Sequence, residues 1–415
     1  MKIIKKCFSS QNNYSFTNNL NFYNKIIQND SSDGKIPMFR IMDTNGSLIN
    51  NKYKDLLPDK ETSIKMLKTM IKVNVLDEYF LAKQRNGDLN FYMTCEGEEA
   101  LVTGSVAGLN FEDSIYPQYR EQAAFLFRGF TTDQMVNQLT GNYLDLGKGR
   151  QMPVHYGSNK LNIQTVSSPV ATQIPQAAGA GYLFKLRKED KVCLTYFGEG
   201  TASEGDFHAG LNFASTLGSQ TIFFCRNNKY AISTPSKEQF LGDGIVSRGP
   251  GYGMNSIRVD GNDALAVYVA TKECRRICIE QKKPFLIEGM SFRQGSHSTS
   301  DKKDNYITSE VLAEYENYIK SLGNPIKRFE NYCKSVGYID NSFYESCKSE
   351  YLEEARKSLK KGLQIQKSSP KSMFDDVYDE LPENLKEQYE QLRNHLDSHK
   401  DLYHLENYRK DDDKI

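Results

Sequence analysis

Hydrophobic positions in the middle of the chain form short runs that are separated by helical patterns. From about residue 98 to residue 290, amphipathic stretches alternate with continuous apolar runs bounded by Gly and Asn. The clearest runs are KVCLTYF (191–197), TIFFC (221–225), SIRV (256–259) and PFLIEGM (284–290). Apolar strands that alternate with helices predict an α/β fold, with a parallel sheet covered by helices on both faces.

The regions on either side of this pattern differ from it. Residues 37–50 predict a hairpin around Asn45-Gly46, and residues 62–85 carry apolar positions at helical spacing. Beyond residue 308 the sequence becomes a series of polar helices, which we interpret as a helical C-terminal appendage. We therefore divide the chain into residues 1–35, an α/β domain at 36–310, and a helical extension at 311–415.

The first 29 residues contain lysine and serine and no acidic residue. Such a composition is typical of a mitochondrial targeting segment, which predicts a mitochondrial matrix protein. A disordered Asn-rich extension is the alternative, because the segment contains no arginine.

Composition excludes some partners. The 53 basic and 53 acidic residues cancel, so no overall charge attracts nucleic acid or an anionic membrane. No apolar run approaches the ~20 residues of a membrane span. The eight cysteines form no CxxC pair, which favours a reducing compartment and core positions for Cys193 and Cys225.

The stretch YFGEGTASEG (196–205) predicts a strand that ends in a glycine-rich turn before a helix. Such a turn can bind phosphate, but a dinucleotide fingerprint needs a third glycine where this chain has Ser203. The next strand ends in RNN and not in an acidic residue. A nicotinamide dehydrogenase is therefore disfavoured, while a plain strand-to-helix turn stays open.

Two polar residues follow neighbouring strands of the predicted sheet. Glu199 follows the first strand, and Asn228 follows the next one 29 residues later. The helix between them is predicted to begin near Ser203 and to bury Phe207, Leu211, Ala214 and Leu217. Since parallel strands end at one edge of a sheet, a carboxylate and an amide oxygen meet there. Such oxygens suit magnesium, and the helix amino terminus favours a diphosphate.

The G-E-G turn, a helix and N-N about 30 residues later resemble thiamine-diphosphate enzymes. The chain resembles the alpha subunits of the branched-chain 2-oxo acid dehydrogenase decarboxylating component from about Ile36 to beyond residue 400. The densest stretches are FYMTCEGEEA, QYREQ, DLGKGRQMPVHYG, SSPVATQIPQAAGAGY, YFGEGTASEGDFHAGLNFA, FFCRNNKYAISTP, RGPGYGMNSIRVDGND and HSTSD.

This resemblance implies thiamine diphosphate, magnesium and potassium as cofactors. It places magnesium on Glu199, Asn228 and the Tyr230 carbonyl, and potassium on Ser167, Pro169, Thr172 and Gln173. The implied cofactor cleft consists of Tyr119, Arg120, Ser168, Val170, Gly198, Gly200, Thr201, Arg226 and His297.

Substrate and catalytic positions are implied in the same way. Phe91, Gln118 and Tyr119 fall at substrate positions, and His297 with Arg293 at catalytic positions. A lone loop histidine is more often an ordinary surface residue, so this role depends on the HSTSD match. His155 and His208 are predicted to be packing histidines with hydrogen-bond partners and not ligands. Ser298 coincides with a serine that a regulatory kinase modifies in relatives; an unmodified serine is the alternative.

The implied activity is oxidative decarboxylation of branched-chain 2-oxo acids, with acyl transfer to lipoamide, in the manner of 3-methyl-2-oxobutanoate dehydrogenase. The activating glutamate of such enzymes belongs to the beta subunit, which predicts an alpha2beta2 heterotetramer bound to a lipoyl acyltransferase core. A pyruvate or acetoin dehydrogenase alpha subunit is the near alternative, and a noncatalytic regulatory subunit is an alternative of another class. Lys229 and Ile307 depart from the family pattern, and Ile307 weakens the case for kinase control.

Overall fold

The computed structural model describes residues 35–299, 301 and 309–410. Six parallel strands form one sheet in the order β1-β7-β8-β4-β3-β2. They are β1 (Met38–Phe39), β2 (Ser114–Tyr116), β3 (Cys193–Gly198), β4 (Thr221–Asn227), β7 (Asn255–Asp260) and β8 (Phe285–Met290). A separate antiparallel pair consists of β5 (Tyr230–Ala231) and β6 (Thr234–Pro235). The predicted parallel sheet is confirmed.

The helices before β7 are α1 (Lys60–Arg85), α2 (Glu99–Ala107), α3 (Gln122–Arg128), α4 (Thr132–Thr140), α5 (Gln173–Arg187), α6 (Gly205–Leu217) and the short α7 (Ser236–Gln239). The later helices are α8 (Ala264–Gln281), α9 (Ser309–Leu322), α10 (Pro325–Ser335), α11 (Phe343–Gly362) and α12 (Glu383–Ser398).

Alternate residues of the central strands enter two different cores. Tyr196 and Phe224 belong to the larger core, to which α1, α2 and α8 contribute. Phe197 and Phe223 belong to a second core, to which α5 and α6 contribute. Because successive side chains of a strand point to opposite faces, helices cover both faces of this sheet, as the apolar runs predict.

The first described segment contains the predicted turn, but its strand pairs elsewhere. Ile49 donates to the carbonyl of Ile41, and Gly46 lies between them with φ +89°. β1, which precedes this turn, joins the edge of the main sheet beside β7. The predicted helix at 62–85 begins slightly earlier, because the Asp59 side chain accepts from the Thr62 N–H and caps it.

The helix after the glycine turn begins later than predicted. Thr201–Ser203 form one 3₁₀ turn, and Glu204 is extended, with φ −74° and ψ 149°, so α6 begins at Gly205 and not near Ser203. Phe207, Leu211 and Ala214 are buried as predicted, whereas Leu217 is 40% exposed. The predicted apolar stripe therefore ends one turn early.

The C-terminal helices pack back onto the α/β core. Gly323, with φ +75°, separates α9 from α10. On α11, Glu354 pairs with Lys72 of α1 at 2.9 Å, and Ser358 donates to Asp133 of α4. The division at residues 35 and 310 stays a prediction, and residues 1–34 lie outside the described part of the chain.

The seven cysteines among the described residues are all free and buried. Cys193 and Cys225 lie within β3 and β4, so their predicted core positions are confirmed. No helix in the described ranges is both long and apolar enough to cross a membrane.

Candidate active site

Glu199 and Asn228 meet at the carboxyl edge of the sheet, where β3 and β4 end side by side. Gly198 pairs with Arg226 in the sheet register, so the residues that follow lie close together. The main-chain N–H of Asn228 lies near the Glu199 carboxylate and acts to lower its pKa, and both side chains are buried. The sequence thus places the two predicted magnesium ligands at one edge of the sheet, and the structure brings them together.

The surroundings of the Glu199 carboxylate favour the binding of a cation. Burial raises its pKa to about 7, and the neighbouring Glu98 carboxylate adds to this effect. No hydrogen-bond donor among the described residues reaches Oε1 of Glu199. A buried oxygen of this kind, directed at the sheet edge beside an amide, suits a hard cation.

Residues 227–230, here called the metal turn, hold the other predicted ligands. Lys229 adopts φ +74° in its centre, a conformation that favours glycine. Its N–H donates to Asn227 Oδ1, and the Tyr230 N–H donates to Asn228 Oδ1 at 3.2 Å. The backbone thus turns as the family pattern requires, although the side chain at its centre is lysine.

Arg226, predicted to hold the diphosphate, lies in a buried ionic cluster. It contacts carboxylate oxygens of Glu98 and Glu121, each at 2.5 Å. Burial opposes its charge, but the two carboxylates outweigh that cost and raise the pKa of Arg226. Glu98 also accepts from the Asn228 side-chain amide at 2.8 Å, so one carboxylate connects the arginine to the metal turn.

Gln118 connects the glycine turn to this cluster. Its Oε1 accepts from the Gly198 N–H at 2.6 Å and from Arg226 at 3.2 Å. Its Nε2 donates to the Thr201 hydroxyl at 2.8 Å. Gln118, Glu98, Glu121, Arg226 and Asn228 together form what we call the floor network.

The two glycines of the turn have different surroundings. A Cβ on Gly200 would lie 2.4 Å from the Cβ of Ala231, so the turn needs a glycine there. A Cβ on Gly198 would meet only ordinary van der Waals contacts, the nearest at 3.7 Å from the Gln118 Oε1. The fold itself therefore does not require glycine at this position, which the family resemblance assigns to the cofactor cleft.

His297 lies above this floor, in residues 291–299 with Asp301, here called the histidine loop. Its carbonyl accepts from Arg120 at 2.5 Å, and its Nε2 lies 3.3 Å from the Tyr119 hydroxyl. Burial, with Arg120 and Arg293 nearby, lowers the pKa of His297 to about 3. Its imidazole is therefore neutral at neutral pH, with one ring nitrogen that can donate a hydrogen bond and one that can accept.

The rest of the histidine loop is held by charged side chains. Asp301 accepts from the N–H groups of His297 at 2.8 Å and Ser298 at 2.5 Å. The Arg293 guanidinium donates to the Ile232 carbonyl at 2.6 Å. Ser298, the predicted phosphorylation site, is half-buried. Ile307 lies outside the described residues.

Oxygens of the predicted potassium loop converge. The Thr172 hydroxyl lies 3.1 Å from Ser167 Oγ and 3.0 Å from the Pro169 carbonyl. Gln173 uses its amide nitrogen on the Tyr196 carbonyl at 2.9 Å. Ser168 bonds to His155 at 2.7 Å, so this histidine has the structural partner expected of it. Val170 is half-buried in the same loop.

Phe91 and His208 were also considered from the sequence, and neither belongs to the floor network or the histidine loop. Phe91, predicted to contact substrate, is half-buried against the larger core. His208 is exposed and bonds to the Tyr252 hydroxyl at 2.5 Å, so it has a partner but does not pack inside.

The sequence did not single out Glu98, Glu121, Asp301 or the Tyr315 hydroxyl, which donates to the Asn228 carbonyl at 3.1 Å. Glu98, Glu121 and Asp301 stand within the stretches CEGEEA, QYREQ and HSTSD, which carry the family resemblance, so that likeness was the available signal.

Comparison with known proteins decides the family. The model of the family described as "Dehydrogenase E1 component" matches residues 67–371. The chain belongs to this family. Its members depend on thiamine diphosphate, so the predicted cofactor is confirmed. The buried Glu199 oxygen that accepts no hydrogen bond from the described residues, next to the metal turn, fits that cofactor with a cation.

Several relatives carry the name "2-oxoisovalerate dehydrogenase subunit alpha, mitochondrial". The Dictyostelium discoideum protein is 53% identical over 294 residues, which cover 71% of this chain and 66% of that protein. The Macaca fascicularis protein is 46% identical over 341 residues, or 82% and 76%. The Homo sapiens protein is 50% identical over 293 residues, or 71% and 65%.

The match thus spans just under two thirds of the Dictyostelium and human relatives. The likeness to these alpha subunits is confirmed, and their names agree with the predicted mitochondrial location.

Proposed function

We propose that this chain is the alpha subunit of a branched-chain 2-oxo acid dehydrogenase. Its activity would be that of 3-methyl-2-oxobutanoate dehydrogenase, with acyl transfer to lipoamide. The observation that carries the proposal is the meeting of Glu199, Asn228 and Arg226 at one sheet edge. The relatives named for 2-oxoisovalerate support the substrate class.

The floor network would hold the cofactor through its diphosphate. Magnesium would bind Glu199, Asn228 and the Tyr230 carbonyl, and Arg226 with Arg120 would neutralise the diphosphate. Potassium would bind the oxygens of Ser167, Pro169, Thr172 and Gln173 and stiffen their loop. When bound, thiamine diphosphate supplies the electron sink for loss of carbon dioxide.

Four residues would act on the substrate and its acyl group. Phe91 would offer apolar surface to a branched side chain, and Gln118 and Tyr119 would contact the substrate. The neutral imidazole of His297 would form hydrogen bonds at Nε2, beside the Tyr119 hydroxyl, and would assist proton movement there. Arg293, which donates to the Ile232 carbonyl, holds the start of the histidine loop.

The proposal includes partners. A beta subunit would provide the activating glutamate in an alpha2beta2 heterotetramer, and a lipoyl acyltransferase core would accept the acyl group. A regulatory kinase acting on Ser298 would place about two negative charges beside the half-buried histidine loop. Such charges would disturb the Asp301 contacts with the N–H groups of His297 and Ser298.

Co-expression with a candidate beta subunit tests the activity. We expect the complex to turn over 3-methyl-2-oxobutanoate at a higher kcat/KM than pyruvate. A preference for pyruvate would support the pyruvate dehydrogenase alternative, and activity of the alpha chain alone would contradict the need for a beta subunit.

Cofactor binding separates a catalytic subunit from a noncatalytic one. Asn228→Ala should weaken magnesium-dependent binding of thiamine diphosphate about tenfold or more, because a ligand oxygen is lost. Asn331→Ala, which removes an exposed asparagine bonded to the Asn45 carbonyl, is the control and should bind like wild type. A wild-type complex that binds no cofactor would support the noncatalytic alternative.

A further inference from the structure

The Tyr315 hydroxyl joins two segments of the candidate active site. It accepts a hydrogen bond from the main-chain N–H of Arg293 at 2.8 Å. It donates to the main-chain carbonyl of Asn228 at 3.1 Å. Arg293 belongs to the histidine loop and Asn228 to the metal turn, so one side chain of α9 fastens the loop to the turn.

The ring of Tyr315 is itself held in place. It is buried and packs edge-on against the ring of Tyr230, with centroids 5.1 Å apart and planes at 84°. Phe292 and Leu322 complete this apolar cluster. Because the ring is packed on several sides, its hydroxyl has a fixed direction, and the groups bonded to it share a fixed spacing.

One main-chain pair also joins the two segments. The Ser291 N–H donates to the Asn227 carbonyl at 2.8 Å, where β8 and β4 end side by side. The bonds of Asp301 to His297 and Ser298 stay within the histidine loop, and Arg120 reaches the His297 carbonyl from the segment before α3. Tyr315 adds a side-chain link between the loop and the metal turn beyond the Ser291–Asn227 pair, on the side of His297.

We propose that Tyr315 is a positioning residue, which sets the distance between the magnesium turn and His297. The inference rests on the proposed function, because this distance matters only if the turn and the histidine act on the same bound cofactor and substrate. Without the hydroxyl, the Arg293 N–H and the Asn228 carbonyl lose this shared partner, and the two segments can separate beyond the Ser291–Asn227 pair. Small displacements of catalytic groups reduce turnover strongly.

The test compares Tyr315→Phe with Tyr318→Phe in the full complex with the beta subunit. Tyr318 lies one helical turn further along α9, stacks on Tyr315 and donates to the Ser291 carbonyl at 3.0 Å. Tyr318→Phe therefore removes a hydroxyl that is bonded to the same loop and not to the metal turn, and it keeps the ring beside the Lys229 ammonium. Both variants keep the ring, so the apolar cluster stays packed.

Tyr315→Phe should lower kcat for 3-methyl-2-oxobutanoate about tenfold, with a much smaller change in KM. It should also weaken magnesium-dependent binding of thiamine diphosphate about tenfold, as measured by calorimetry. Tyr318→Phe should change each quantity less than about threefold. Equal effects of the two variants, or a lowered melting temperature with normal kcat and cofactor affinity, would overturn the positioning role.

Amide hydrogen exchange gives a readout that needs no activity. The Arg293 amide should exchange faster in Tyr315→Phe than in wild type or Tyr318→Phe, and an unchanged rate would overturn the tether. A wild-type complex that binds the cofactor but turns over neither 2-oxo acid would overturn the proposed function and not the tether. Cofactor affinity and Arg293 exchange would then still decide the role of Tyr315.

Discussion

The floor network and the histidine loop lie next to each other but are stabilised in different ways. In the floor network, Arg226 is buried between Glu98 and Glu121, and Gln118 connects it to the glycine turn. The histidine loop is held mainly by hydrogen bonds to main-chain groups, from Asp301, Arg120 and Tyr315. The floor network is therefore pre-organised by buried, paired charges, whereas the position of the histidine loop depends on individual hydrogen bonds to its main chain.

The largest effect should come from Glu98→Ala, which removes a carboxylate from the floor network. Arg226 and the Asn228 amide both lose a buried partner, so the free energy of unfolding should fall by about 3 kcal/mol or more. Urea unfolding measures this change. Glu353→Ala is the control, because its pair with Lys357 is exposed and contributes less than about 1 kcal/mol. Similar losses in the two variants would show that the floor is not pre-organised by charge.

The histidine loop should respond to pH. The folded-state pKa of His297, about 3, lies below its ordinary value of 6.5, so the folded state binds fewer protons between these values. The contribution of His297 to stability is present above about pH 6.5 and is lost as pH falls towards 3. The full pKa difference corresponds to about 5 kcal/mol, and solvent screening of the half-buried ring reduces this to about 2 kcal/mol. NMR should find its imidazole neutral at pH 5. Arg120→Gln should raise the pKa of His297, and an imidazole protonated near pH 6.5 in wild type would contradict the burial argument.

Two glycine variants should separate folding from cofactor binding. Gly200→Ala should destabilise the protein by about 1–3 kcal/mol, because its Cβ would clash with Ala231. Gly198→Ala should leave stability nearly unchanged, since its Cβ meets ordinary contacts, but should weaken cofactor binding. Thermal unfolding and calorimetry measure the two effects. Unchanged cofactor affinity in Gly198→Ala would show that the cofactor does not approach the main chain closely at Gly198.

The smallest effect concerns lysines with positive φ. Lys188, exposed at the end of α5 with φ +56°, should gain about 1 kcal/mol of stability on replacement by Gly. Lys229→Gly should gain less, because the Lys229 ammonium also lies 5.4 Å from the centre of the Tyr318 ring. Chemical denaturation compares the two variants. An equal gain would mean that this ring contact contributes nothing to the metal turn.

Local patterns predicted the centre of the sheet well. The runs that became β3, β4 and β8 are mostly apolar and are buried along nearly their whole length, as a parallel sheet covered on both faces requires. The register of β3 and β4 then brings Glu199 and Asn228 together without further information. The two-residue strand β1 was predicted as part of a hairpin, because so short a run does not reveal its distant partner β7.

The contacts that complete the site depend on residues far apart in the chain. Glu98 meets Arg226 across 128 positions, and Tyr315 meets Asn228 across 87. A local sequence pattern does not reveal contacts between residues that are so far apart in the chain. The family likeness included the stretch that contains Glu98, but it gave this residue no role. The late start of α6 has a local cause, the extended Glu204, whose conformation follows from the 3₁₀ turn before it.

Because every cysteine among the described residues is buried, thiol labelling can report transient unfolding of the protein. Cys225 lies in β4, directly before Arg226, and burial raises the pKa of its thiol well above the ordinary value. A thiol reagent can reach it only when the central strands become exposed to solvent, and even then only the thiolate reacts. The rate of Cys225 labelling in the folded protein would therefore measure how often the central strands of the sheet unfold transiently.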